Sequence, residues 1–226
     1  MPIDFFHDAC LSEYAYRDRI INKLWEDVFL DVSPAIYMRT GEIENNDRKN
    51  QKDCSRPTGQ QRAIGWFHDA ILMMKFLSKE IQIGFGEVVG NPCKHDDSKM
   101  NEDREKLLKA MQLSLYNLRK LLLERQIQQE DLKKLETFGI LVYKRDFFIY
   151  STHWVNGLYL VDQVNGFTIP NTANQLNELS IIINVMLEFK YRVINLKNHI
   201  NSLLKDKPKF FGYRKTIGEL AVDSSP

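Results

Sequence analysis

One stretch, residues 81–123, restricts the folds open to this chain more than any other. It begins with the alternating apolar residues Ile81, Ile83 and Phe85 and reaches Glu87 within the sequence Gly-Glu-Val-Val-Gly. Because strand side chains alternate between two faces, Glu87 is predicted to share a face with those apolar residues. A carboxylate there lies either at the open end of a sheet or in its interior, where burial is costly. We therefore predict a functional site at Glu87, with a solvent-exposed strand end as the alternative.

A long amphipathic helix is predicted after this strand and a polar loop, residues 91–101. We expect the helix to span Met100 to Gln126. Its apolar residues at helical spacing are Leu107, Leu108, Met111, Leu115, Leu118, Leu121 and Leu122. The other elements of the fold must pack against this unit of a strand, a carboxylate, a loop and a helix.

Composition limits the classes of function. The 226 residues, 43% of them hydrophobic, suffice for one domain, predicted over 1–204, followed by a basic and aromatic tail, 205–226. Since 31 basic and 30 acidic residues nearly cancel, no global attraction to nucleic acid or to anionic membrane is expected. Neither a run of about 18 apolar residues nor a signal-peptide pattern is present, which predicts an intracellular protein, cytoplasmic or nuclear, without a membrane partner.

Patterns elsewhere predict alternating helices and strands. A first helix spans about Cys10 to Val32 and carries Glu13, for which a simple interaction with the helix dipole is the alternative role. A polar stretch, 45–61, is predicted to be a mobile loop. Two antiparallel strands follow within 63–89, with a buried helix over 69–77 as the alternative. The remaining predicted elements are a strand at Ala35 to Arg39, strands at Ile140 to Tyr143, Phe147 to Thr152 and Leu158 to Val164, and a last helix at Asn174 to Leu204.

This order of elements predicts an α/β fold with a mixed central sheet and helices on both faces. In such a fold Glu13 and Glu87 can converge at one edge of the sheet. Clustered carboxylates are the ligands that a hard divalent cation such as Mg²⁺ requires, and the ion would activate water against a phosphodiester. His68, among aromatic and aliphatic neighbours, is predicted to be packed and hydrogen bonded, with acid–base chemistry as the alternative.

Several segments together resemble the PD-(D/E)XK nuclease superfamily, whose core is restriction-endonuclease-like. They are Ser12-Glu13 in the first helix, Gly41-Glu42, the segment 59–65 (GQQRAIG), the strand that ends in Phe85-Gly86-Glu87, and the long helix rich in Lys and Leu. More closely, the chain resembles nuclease-like proteins abundant in Mucoromycota fungi, in which a Gly-Arg-Arg-Ala-Asp-like segment precedes a strand ending in Gly-Glu. The resemblance spans roughly residues 10–204.

The resemblance implies roles for individual residues. Glu13 corresponds to the acid of the first helix and Glu87 to the glutamate of the Glu-x-Lys motif. The motif aspartate falls on Ile64, so Asp69 is its candidate substitute. The motif lysine falls on Val89. Since this lysine can migrate to the following helix in the superfamily, Lys106 or Lys109 is its candidate.

The implied catalytic residues are Glu13, Asp69, Glu87 and Lys106, and the first three would also hold Mg²⁺. Loss of the motif Asp and Lys predicts weak metal binding and weak or absent hydrolysis of phosphodiesters. DNA is the implied partner, and Arg62 and Lys109 are expected beside the site to bind it.

Two other functions stay open. The chain is alternatively a non-catalytic scaffold that pairs with a protein partner, or with a second copy, through a long helix. A weaker alternative is single-stranded nucleic-acid binding by the tail, whose basic residues include Lys209, Arg214 and Lys215, with aromatic residues between Lys209 and Arg214.

Overall fold

A computed structural model describes residues 6–57 and 61–205 of the chain. They form an α/β fold in which helices flank a six-stranded mixed sheet, as the sequence predicted. The predicted tail beyond Lys205, including Arg214 and Lys215, lies outside the described residues. Within the described part of the chain, no helix is both long enough and apolar enough to span a bilayer.

The first helix, α1, changes its winding along its length. It is α-helical over Glu13–Tyr16, π-helical over Arg17–Ile21 and α-helical over Asn22–Asp27. The later helices are α2 (Asn46–Cys54), α3 (Asp97–Leu123) and α4 (Leu179–Lys205), with short 3₁₀ turns at Leu30–Val32, Asp131–Lys134 and Ala173–Glu178. The strands are β1 (Ile36–Glu44), β2 (Phe67–Phe76), β3 (Lys79–Val89), β4 (Glu136–Tyr143), β5 (Asp146–Val155) and β6 (Leu158–Thr168).

The strands lie in the sheet in chain order, β1 to β6. Neighbours are antiparallel except β3 and β4, which are parallel. A parallel pair needs a long crossover connection, and α3 supplies it. The predicted hairpin of β2 and β3 and the antiparallel strands β4 to β6 are confirmed, and the alternative of a helix over 69–77 is wrong.

Helices pack on both faces of the sheet, as two adjacent residues of β4 show. A Cβ atom on Gly139 would lie 3.2 Å from Leu107 of α3, so this helix approaches the backbone closely. The ring of Phe138 points to the other face and packs edge to face on Phe189 of α4, with centroids 5.5 Å apart. Trp25 of α1 is fully buried on this same face.

The prediction that Glu87 shares a face with Ile81, Ile83 and Phe85 is wrong in part. The β2–β3 register shifts between Leu72 and Met73, which leaves an extra residue on β3. Ile83 therefore packs in the main core, whereas Phe85 packs against α3. Such a bulge reverses the alternation, so Glu87 shares its face with Phe85 alone of the three.

The prediction of an irregular loop over 45–61 is wrong for residues 46–54, which form α2. The side chain of Asn45 caps this helix by accepting the backbone N–H of Arg48 at 3.0 Å. None of the side chains of α2 is buried, so its sequence has no apolar periodicity from which a helix could be predicted. Helix α1 is also shorter than the predicted span of 10–32 and ends at Asp27.

Candidate functional site

The structure brings all four residues predicted to be catalytic to one cavity of about 230 Å³. Glu13 comes from α1, Asp69 from β2, Glu87 from β3 and Lys106 from α3. The other lining residues are Glu42, Phe67, His68, Val88, Lys99 and Asp103. We call this the acidic cavity, because five of its lining residues are carboxylic acids and two are lysines.

A helix cap positions the backbone at Glu13, and two hydrogen bonds hold its carboxylate. Ser12 caps α1 with its side chain, which accepts the backbone N–H of Ala15 at 3.1 Å. Oε2 of Glu13 accepts hydrogen bonds from the Gly90 backbone N–H and from Lys99 Nζ, each at 2.6 Å. Gly90 has a φ of +69°, a conformation that glycine adopts without strain. Strand β3 and helix α3 therefore fix the carboxylate of Glu13 together.

Asp69 lies just beyond the last β2–β3 pair, which joins Ala70 to Gly86. Its Oδ1 accepts a hydrogen bond from the Arg17 guanidinium and its Oδ2 accepts the Val88 N–H at 2.8 Å. Arg17 belongs to the π-helical turn of α1, a winding that is common at functional sites. Burial raises the pKa of Asp69, while the Val88 hydrogen bond and Arg17 lower it in part.

The position first matched to the motif aspartate does not reach the cavity. Ile64 is 65% exposed, and its carbonyl accepts a hydrogen bond from Lys52. Asp69, the candidate substitute, is the acid that lies beside Glu87. The acidic cavity is therefore lined by Asp69 and not by Ile64.

Glu87 is the most buried carboxylate of the cavity, 2% exposed. Its Oε2 lies 2.8 Å from Lys106 Nζ, which also lies 3.3 Å from Asp103. Burial raises the pKa of Glu87 well above its usual value, although Lys106 lowers it in part. Burial lowers the pKa of Lys106, but Glu87 and Asp103 outweigh this effect and raise it. Lys106 is therefore a fixed cation beside Glu87.

His68 orients the other oxygen of Glu87. Because Asn45 Oδ1 already accepts the Arg48 N–H, its amide nitrogen donates to His68 Nε2 at 3.3 Å. The hydrogen of His68 is then on Nδ1, which donates to Glu87 Oε1. Burial, together with Lys106, lowers the pKa of His68 to about 3. The ring is neutral at pH 7 and holds Glu87 through a hydrogen bond, so it is packed and bonded rather than an acid or base there.

The donor set does not fit the divalent cation that the resemblance implies. Both oxygens of Asp69 and both oxygens of Glu87 already accept hydrogen bonds from protein donors. In residues 6–57 and 61–205, no three His, Cys, Asp or Glu side chains form a group that could hold a metal ion. A metal ion would have to displace Arg17 and Lys106 from their carboxylates.

Two predicted nucleic-acid contacts lie apart from the acidic cavity. Lys109 lies one turn of α3 beyond Lys106. It pairs with Glu105 and lines a second cavity. Arg62 lines a third cavity with residues of α2 and of the β2–β3 hairpin. Neither residue lines the acidic cavity itself.

Sequence reasoning missed several residues of the site, among them Arg17, Asn45, Lys99 and Asp103. Arg17 and Lys99 bind Asp69 and Glu13, and Asn45 fixes the tautomer of His68. One signal was available, because Lys99, Asp103 and Lys106 recur at helical spacing and so share a face of α3. The role of Arg17 depends on the π-helical turn and has no such signal.

The chain was also compared with known proteins. It matches no protein-family model, no curated protein and no solved structure. Function is therefore inferred from the fold and from the geometry of the cavities.

Proposed function

We propose that this chain is a nuclease-like protein of the PD-(D/E)XK type that binds polynucleotides such as DNA and hydrolyses them weakly or not at all. The order of its elements supports this proposal. A helix with Glu13, strands with Asp69 and Glu87, and a long helix with Lys106 follow one another as the superfamily's motifs do. The four side chains also line a single cavity.

One observation supports the loss of hydrolysis. Each of the three carboxylates forms an ion pair with a basic residue of the same protein. The pairs are Glu13 with Lys99, Asp69 with Arg17, and Glu87 with Lys106. These cations neutralise the charge that would attract a metal ion. A bound metal ion is what lowers the pKa of the attacking water in this kind of hydrolysis, so hydrolysis is expected to be weak or absent without one.

Titration with Mg²⁺ and Mn²⁺, followed by incubation with supercoiled plasmid, tests this proposal. We expect no saturable metal binding at millimolar concentration and no more nicking by the wild-type protein than by Glu87→Gln. DNA binding, measured by gel shift in the same buffers, should be detectable and should weaken with salt.

Lys133→Gln is the matched control, because Lys133 is an exposed lysine that pairs with Glu130 and does not line the acidic cavity. Metal-dependent nicking that Lys133→Gln retains and Glu87→Gln loses would show an active nuclease and refute the loss of hydrolysis. Absence of any DNA binding would refute the proposal as a whole.

A second candidate function is self-association through α4. Apolar side chains on the outer side of this helix are 43% to 65% exposed and recur every four residues. They are Leu179, Ile183, Leu187 and Tyr191. A stripe of this kind is unusual on a monomer, and in a two-fold dimer it would cover itself.

Sedimentation velocity across a range of protein concentrations tests the association. We expect the wild-type chain to sediment as a dimer at high concentration and Leu187→Glu to remain a monomer, because the new carboxylate would be buried unpaired. Leu123→Glu places the same charge on an exposed apolar position of α3 and should leave the dimer intact. A monomeric wild-type protein at all concentrations would exclude this function.

A further inference from the structure

A second cavity, of about 490 Å³, differs from the acidic cavity in its chemistry. Three aromatic side chains, Trp66, Tyr116 and Tyr159, and two cationic ones, Arg48 and Lys109, line it, and no carboxylate does. We call it the aromatic groove. Its volume falls within the range of about 300–1,000 Å³ that is common for small-molecule sites.

The aromatic groove lies next to the acidic cavity along the chain. Lys109 is one turn of α3 beyond Lys106, and Trp66 directly precedes Phe67, which lines the acidic cavity. The same Arg48 whose backbone N–H binds Asn45 also stacks its guanidinium over the Trp66 ring, 4.6 Å from the centroid. A ligand in the groove would thus contact residues that support His68 and Glu87.

The rings of the groove are partly exposed. Tyr116 is 52% exposed, and Trp66 and Tyr159 are half-buried. Tyr116 is the most open of the three, since the Arg48 guanidinium already lies over one face of Trp66. Planar bases stack on aromatic faces whatever their sequence, because every base has a π-face.

The guanidinium group of Arg48 has no anionic partner at the groove. Among the described residues it forms no ion pair; it donates a hydrogen bond to the amide oxygen of Gln51, and its Nε has no hydrogen-bond partner. A guanidinium group without a carboxylate partner favours an anionic ligand such as a phosphate.

The other cation of the groove, Lys109, is also available to a ligand. In the described part of the chain it pairs with Glu105 of its own helix, and both side chains are more than half exposed. Exposed pairs of this kind contribute little to stability. Both lysines that line the acidic cavity, by contrast, pair with carboxylates of that cavity.

We infer that the aromatic groove binds single-stranded nucleic acid, with unpaired bases stacked on Tyr116 and Trp66 and phosphates bound by Arg48 and Lys109. This inference rests on the proposed function and adds to it the binding site and the form of the polynucleotide. A duplex keeps its bases stacked on one another, so it cannot offer their faces to these rings.

Fluorescence anisotropy of the full chain with a labelled mixed-sequence DNA strand of about 12 nucleotides tests the inference. The wild-type protein should bind the strand more tightly than the duplex of the same sequence. Tyr116→Ala should weaken binding of the strand by about 5- to 150-fold, the range observed for loss of one stacked base. Lys109→Gln should reduce the slope of log K against log salt by about 0.7.

Two matched variants serve as controls. Leu123→Ala removes an exposed apolar side chain from the same helix, and Lys133→Gln removes an exposed lysine that pairs locally with Glu130, as Lys109 does with Glu105. Both should bind the strand as the wild-type protein does.

The outcomes separate the inference from the function on which it rests. If the wild-type protein binds the strand but Tyr116→Ala and Lys109→Gln bind it equally well, the groove is not the site and the proposed function stands. Tighter binding of duplex that is insensitive to Tyr116→Ala also overturns the inference. If neither strand nor duplex binds, both the inference and the proposed function fail.

Discussion

Replacement of Lys106 by methionine is expected to lower the free energy of unfolding by about 3–5 kcal/mol at pH 8, because it leaves the carboxylate of Glu87 buried without its cation. The loss should be smaller at pH 5. Glu87 is 2% exposed, and Lys106 is the group that most lowers its pKa. Urea unfolding monitored by tryptophan fluorescence at several pH values measures both effects.

The sign of this pH dependence follows from the pKa of Glu87. Burial raises this pKa in the folded protein above the unfolded value of about 4.3, and removal of Lys106 raises it further. The folded state then binds the proton more tightly than the unfolded state does. The contribution of Glu87 to stability is therefore greatest below about pH 4.3. It is lost as the pH rises through the pKa that Glu87 has in the folded protein.

A second substitution separates charge from packing. In the Lys106→Met/Glu87→Gln double variant no charge is left at position 87, so its dependence on pH should be weaker than that of Lys106→Met and its stability at pH 8 higher. Lys109→Met, at an exposed position of α3, should stay within about 0.5 kcal/mol of the wild-type protein. Equal destabilisation of Lys106→Met at pH 5 and pH 8 would mean that the lysine acts through the packing of its aliphatic chain.

The substitution Trp25→Ala is expected to cost about 3–5 kcal/mol of stability. Trp25 is fully buried between α1 and the sheet, and its ring lies against Gly86, where a Cβ atom would be only 2.9 Å from it. Removal of the ring leaves a cavity beside the residue that precedes Glu87. The midpoint and slope of urea unfolding measure the change.

Leu30→Ala is the control for this substitution. Leu30 follows α1 closely but is 65% exposed, so its loss should change stability by no more than about 0.5 kcal/mol. A cost below about 1 kcal/mol for Trp25→Ala would show that neighbouring side chains refill the space and that α1 does not depend on this contact.

The sequence predicted the fold class because strong local patterns coincide with the elements. The apolar spacing of 107–122 identified α3, and the short polar turns identified the antiparallel strands β4 to β6. It did not predict α2, since that helix has no apolar face and depends on the Asn45 cap. The face of Ile83 was also assigned wrongly, because a bulge interrupts the alternation without leaving a mark in the residue pattern.

Three of the five acids that line the cavity were predicted, and one of its two lysines. Glu13, Asp69, Glu87 and Lys106 were named in advance and line one cavity. The contact of Arg17 with Asp69 joins elements about 50 residues apart through a π-helical turn, which no local pattern specifies. The neutral state of His68 likewise depends on burial and on Asn45, both of which are properties of the folded chain.

The single parallel pair of the sheet has a consequence for how the protein folds. Strands β1 to β3 and strands β4 to β6 each pair with their neighbours in the chain. The parallel pair joins the two sets through residues roughly 50 positions apart, such as Glu87 and Leu141, with α3 between them. Contacts between residues far apart in sequence slow folding, because the intervening chain must be ordered before they can form. Glu87 lies in this parallel pair, so the strand that carries it is held on one side by a contact of this kind.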